Sequence, residues 1–105
     1  KATLFAKEID GILIHPYNDK NIINGQGTIG LEIYNQLPKV TRVLVPIGGG
    51  GLISGICSFF SNYKNTDVIG CQPKNASEMY DSIIQNKIVQ PSILATVADA
   101  AAGGG

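Results

Sequence analysis

The sequence predicts an α/β domain built on a parallel sheet. Three observations carry this. Short apolar, β-branched runs alternate along the chain with stretches whose apolar residues fall at helical spacing. One of those runs, "VLVPI", passes straight into four consecutive glycines, Gly48 to Gly51, and then into another helical pattern. No internal repeat or flexible linker divides the 105 residues, so positions 1–105 read as part of one domain.

The elements follow in order. "KATLFAKE" (Lys1 to Glu8) reads as the end of a helix. "GILIHPY" is short, apolar and bounded by Gly11 and Pro16, which suits a first buried strand. "NDKNIINGQG" (Asn18 to Gly27) is rich in Asn, Asp and Gly and reads as a loop. From Thr28 to Leu37 apolar residues fall at Ile29, Ile33 and Leu37, and Pro38 stops the helix. Thr28 then stands where a helix cap belongs, with Gln26 in the preceding loop.

"RVLVPI" is a second strand. After the glycines, Leu52, Ile56, Phe59, Phe60 and Tyr63 mark an amphipathic helix. "DVIGCQP" (Asp67 to Pro73) is a third strand. A third helix spans Ala76 to Asn86, with Met79, Ile83 and Ile84 on its inner face. The remainder is irregular and ends in Ala and Gly. Both ends read as cuts through a larger α/β domain, because three strands cannot cover both edges of a sheet.

Charged residues make up 15% of the chain, low for the exterior of a small domain. Either further chain or a partner covers some surface, or Asn and Gln supply the polarity. Eight basic and eight acidic residues are scattered singly. No basic stripe exists, which argues against a nucleic-acid surface. No apolar run approaches the roughly 20 residues of a membrane span. Lys1 opens no secretory leader. Cys57 and Cys71 lack metal-ligand spacing and read as buried free thiols in a reducing, cytoplasmic setting.

A strand that ends in glycines and opens a helix is where α/β proteins bind anions. Free N–H groups at the helix start point outward, and the helix dipole adds partial positive charge. Without Cβ atoms the backbone can wrap a phosphate closely. A tight turn would need only one or two glycines. The P-loop pattern fails for want of a Gly-Lys pair. The dinucleotide pattern fails too. Its third glycine falls on Ile53 or Ser54, and Gln72 stands where a ribose-binding acid is expected. No Lys or Arg lies nearby in sequence. Neutral donors alone favour one compact phosphomonoester, as on a cofactor.

Four segments carry a resemblance: "HPYNDKNIINGQGTIGLEI", "VPIGGGGLISGI", "VIGCQPKNASEMYDSI" and "TVADAAAGG". Their order and spacing resemble the pyridoxal-phosphate (PLP) dependent threonine/serine dehydratases, enzymes of fold type II, with serine racemase as a close relative. The resemblance covers essentially the whole chain. It implies an α/β large domain, present here in part, in which Gly48, Gly49, Gly50, Gly51 and the N–H of Leu52 cradle the cofactor phosphate. "HPY" and "NGQGT" are implied to lie on the active-site side, with His15 read as a structural hydrogen-bonding residue before Pro16.

The family can also bind Mg²⁺ or another divalent cation, through a strand-end glutamate, a carbonyl four residues on and a further carboxylate. The matching positions are Gln72, Ala76 and Glu78, and Gln72 departs from the pattern by losing a charge. Otherwise Glu78 is a solvated helix residue. Asp99 matches the family aspartate, while Ala100 stands in place of a glycine near the cofactor ring.

The family's chemistry needs a lysine bonded to PLP, set in a Ser-x-Lys-x-Arg context. The lysines here, at 1, 7, 20, 39, 64, 74 and 87, all lack it. The resemblance therefore implies part of an ammonia-lyase that acts on a small hydroxy amino acid, homo-oligomeric in its full length. This chain would carry the phosphate loop and no catalytic residue. A serine racemase and a non-catalytic PLP- or phosphate-binding module remain as alternatives.

Overall fold

A computed structural model describes residues 1–90 and 95–101. The Ala- and Gly-rich end at 102–105 lies outside the described residues. The elements run α1 (Ala2–Glu8), α2 (Lys20–Gln36), β1 (Arg42–Pro46), α3 (Gly51–Phe60), β2 (Asp67–Cys71) and α4 (Glu78–Gln85). A short 3-10 turn follows at Asp99–Ala101.

The two strands are parallel and adjacent, in register from Arg42 opposite Asp67 to Pro46 opposite Cys71. The α3 helix makes the crossover that parallel pairing requires. Alternation along β1 sends Val43 and Val45 inward and leaves Arg42, Leu44 and Pro46 exposed. The inward pair packs with Ile56 and Phe60 of α3, and Ile33, Tyr34, Leu52 and Val68 close around them. The opposite sheet face is uncovered among the described residues, with Leu44 67% and Ile69 42% exposed. A parallel sheet is normally covered on both faces. The low charge content of the sequence matches this bare apolar face.

The run at 11–17 is not a strand. Ile12, Leu13 and Ile14 are all exposed, and the segment pairs with neither described strand. A run of apolar residues becomes a strand only by pairing, so composition alone misled the reading. The expected loop at 18–27 is also corrected, because α2 already begins at Lys20. Asp19 caps it, accepting from the N–H groups of Asn21 at 2.8 Å and Ile22 at 3.4 Å. Thr28 therefore lies inside the helix and caps nothing. Its hydroxyl donates back to the Gly25 carbonyl at 2.8 Å. Replacing Asp19 by Ala should cost about 1 kcal/mol of stability, read as a lowered urea midpoint with an unchanged slope.

Glycine is a poor helix former, yet α2 holds Gly25, Gly27 and Gly30. Two of them are explained by α3. A Cβ on Gly30 would lie 2.8 Å from the Phe59 ring, and one on Gly27 would lie 3.2 Å from the Gly55 carbonyl. The two helices cross with their backbones nearly touching. Tyr34, Phe59 and Tyr63 then stack beside the crossing, with ring centroids 4.7 to 6.4 Å apart.

Two further expectations need correction. Ile83 and Ile84 do not face inward, being 69% and 67% exposed. Only the first turn of α4 is anchored, through buried Glu78 and half-buried Met79. The cysteines are free, as expected, but both are exposed. Cys57 lies on the outward side of α3 and Cys71 at the end of β2.

Candidate functional site

The glycine run leaves β1 at the carboxyl edge of the sheet. Pro46 ends the strand, and Ile47 still donates its N–H to the Cys71 carbonyl at 2.9 Å. Gly50 then turns into the left-handed region, at φ 88°, and becomes the N-cap of α3. That φ is one an L side chain rarely adopts, so this glycine is required by conformation. As N-cap it supplies no side-chain oxygen. The first intrahelical bond runs from the Ser54 N–H to the Gly50 carbonyl. Among the described residues no backbone carbonyl accepts the N–H groups of Gly48 through Ile53. A helix of ten residues thus leaves its orphan donors without backbone partners among the described residues, at the positive end of its dipole.

The other three glycines serve packing. A Cβ on Gly49 would overlap the Tyr17 ring, and one on Gly51 would lie 2.9 Å from the Tyr17 carbonyl oxygen. A Cβ on Gly48 would come 3.3 Å from the Ala100 carbonyl. Each glycine in the run therefore has its own local reason. The open donors, rather than the bare run, are what point to a ligand.

A cleft of about 350 Å³ opens on these donors, lined by Gly48 to Leu52 with Pro16, Tyr17, Gln26 and Ala100. Gln26 reaches it from α2, not from a loop. Asp99 stays exposed, and its carboxylate accepts from the neighbouring Ala100 N–H at 2.8 Å. The sequence places Tyr17 on the active-site side only as part of "HPY", with no contact of its own. Nothing in "HPY" announces that its ring lies on Gly49. His15 holds that turn: its Nδ1 accepts from the N–H groups of Asn18 at 2.9 Å and Tyr17 at 3.4 Å. Its ring meets the Tyr17 ring edge-on at 4.5 Å. The structural role expected of His15 is observed, directed to the residues after Pro16.

A second cavity, of about 330 Å³, shares Gly48, Gly49 and Gly50 and is lined also by Gln72, Glu78 and Ser82. Glu78 is 8% exposed, and its Oε1 has no partner among the described residues. It is therefore not a solvated helix residue. Its place in the first turn of α4 gives its charge some support from the helix dipole. Ala76 is fully buried, its N–H bonded to the Pro73 carbonyl.

A family model described as pyridoxal-phosphate dependent enzyme matches residues 1–105. The chain belongs to that family. Among curated proteins of this kind, serine racemase from Arabidopsis thaliana is 40% identical over 99 residues, covering 93% of this chain and 30% of the racemase. The catabolic L-threonine dehydratase of Staphylococcus aureus is 40% identical over 95 residues, covering 90% of this chain and 28% of the dehydratase. The processed form of threonine deaminase isoform 2 from Solanum lycopersicum superposes with a TM-score of 0.89 at 38% identity, over 97% of this chain and 30% of that one. The α/β fold is thus that of the fold-type-II PLP enzymes, present as a partial domain. The chain spans about 30% of the length of the relatives it matches.

The cleft fits the phosphate end of PLP. It offers a row of neutral donors at a helix start, lined by the glycines of the loop. The cation expectation meets a different arrangement. The Gln72 Oε1 is already engaged by the Tyr80 N–H at 3.0 Å. That leaves Glu78 as the one carboxylate of the set, fewer than a hard cation prefers, so these residues as arranged do not fit Mg²⁺.

Proposed function

We propose that this chain supplies the cofactor-phosphate part of a PLP-dependent ammonia-lyase that eliminates the hydroxyl group of threonine or serine. The observation that carries the reading is the row of N–H groups from Gly48 to Leu52 at the start of α3 that find no partner among the described residues. The threonine dehydratase among the relatives supports the elimination reading. PLP, when bound, supplies an electron sink for charge at the substrate's α-carbon. The residues of this chain bind and orient. The loop amides take the phosphate, Tyr17 walls the cradle, and Ala100 narrows the cleft beside Gly48.

No lysine of this chain is placed to bond the cofactor. All seven lysines are exposed, and none lines either cavity. In this reading the cofactor-bonding lysine comes from other residues of a longer, homo-oligomeric protein in the cytoplasm, and these 105 residues alone do not catalyse.

Serine racemase is the second reading, favoured by the Arabidopsis relative at equal identity. Incubating the full-length protein with L-threonine and L-serine separates the two. The proposal expects 2-oxobutanoate and pyruvate with ammonia. D-serine with no 2-oxobutanoate would assign a racemase. No turnover and no cofactor absorbance would leave a phosphate-binding module.

A further inference from the structure

Gln72 follows the last residue of β2, and its side-chain amide joins three elements. The Nε2 group donates to the carbonyl of Ile47 at 3.4 Å, and Ile47 is the residue that leads into the glycine loop. The Oε1 atom accepts from the N–H of Tyr80 at 3.0 Å. Tyr80 is the third residue of α4, so this N–H is one of the orphan donors at that helix start.

The local cap does not serve it. Ser77, the N-cap, makes no side-chain cap bond, and its hydroxyl donates to Asp81 Oδ2 at 2.8 Å. With Ile83 and Ile84 exposed, the first turn is what fixes α4 in place. Met79 of that turn lies against the loop, its methyl carbon 3.1 Å from where a Cβ on Gly50 would sit.

An amide suits this position because it carries a donor and an acceptor on one planar group. A carboxylate could still cap Tyr80. Its second oxygen would then face the Ile47 carbonyl, oxygen against oxygen. Such a contact needs a proton or a cation between the two. The unpartnered Glu78 Oε1 lines the same cavity and would add a second carboxylate to any such cation.

We propose that Gln72 is a positioning residue whose amide clamps the first turn of α4 to the strand leading into the glycine loop, making the loop's geometry independent of a divalent cation. The clamp does by hydrogen bonding what a bridging cation would do between carboxylates. The proposal does not rest on PLP being the ligand, since its first readout is thermal stability without cofactor.

The test uses the full-length protein as wild type, Gln72→Glu, Gln72→Leu and Glu78→Gln, each melted in chelator and in millimolar MgCl₂. Cofactor titrations under the same two conditions give a second readout. The wild type should melt at one temperature and bind cofactor with one affinity in both. Gln72→Glu should melt several degrees lower in chelator, bind cofactor about tenfold more weakly, and recover both on adding Mg²⁺. Gln72→Leu, which can neither donate nor accept, should lose the same and recover nothing. A wild type that gains stability from Mg²⁺, with the gain abolished by Glu78→Gln, overturns the proposal. So does a Gln72→Glu protein that matches wild type in chelator. Should Gln72→Glu fail to fold, the wild-type and Glu78→Gln melts decide alone. A protein that binds no PLP but melts as described refutes the cofactor reading and leaves the clamp standing.

Discussion

Gly55→Ala is expected to destabilise the protein by about 3 kcal/mol, near the upper end for overpacking. The added methyl group would lie 2.6 Å from the Gly27 N atom and overlap the Ile23 carbonyl, both backbone atoms of α2. A flexible side chain could swing aside, but a helix backbone cannot. The helices must separate, and the aromatic cluster of Tyr34, Phe59 and Tyr63 opens with them. Gly25 is the internal control. It lies in α2 with nothing within 4 Å of a Cβ, so Gly25→Ala should gain up to about 1 kcal/mol from helix propensity alone. Urea midpoints of the two variants should therefore move in opposite directions.

Gly49→Ala should weaken PLP binding sharply, because the methyl group and the Tyr17 ring cannot both keep their places. The ring would be pushed off the loop, or the loop off its helix start. Tyr17→Ala should weaken binding as well, by opening the wall of the cleft. The double variant should bind better than Gly49→Ala alone, since removing the ring makes room for the methyl. A coupling of about 1–3 kcal/mol is expected from the four dissociation constants. Additive losses would show that Tyr17 does not pack on the loop.

Much of this site could be read from the chain because it is local. A β-branched strand, a glycine run and an amphipathic helix are consecutive in sequence, and the donors they expose follow from backbone geometry. The contacts made on the loop from afar could not be read. Tyr17 is about thirty residues from Gly49, and no periodicity links them. The Gln72 bridge to Ile47 is of the same kind: sequence shows a missing charge, and only the fold shows what the amide does instead. Where the reading failed on secondary structure, tertiary context was decisive. Gly27, which looks like loop in 18–27, is there to let α3 approach, and the apolar run at 12–14 lacks a paired neighbour among the described residues. The Asp19 cap was the legible signal, outweighed by its Asn- and Gly-rich surroundings.

The central claim is that the amides of Gly48 to Leu52 hold a phosphate. Isotope-labelled glycine and leucine in the full-length protein report on those amides by NMR, with PLP, inorganic phosphate and unphosphorylated pyridoxal added in turn. The Gly48 to Leu52 signals should shift with PLP and with phosphate, and stay in place with pyridoxal. Bound PLP that leaves them unmoved, or pyridoxal that moves them equally, would contradict the account.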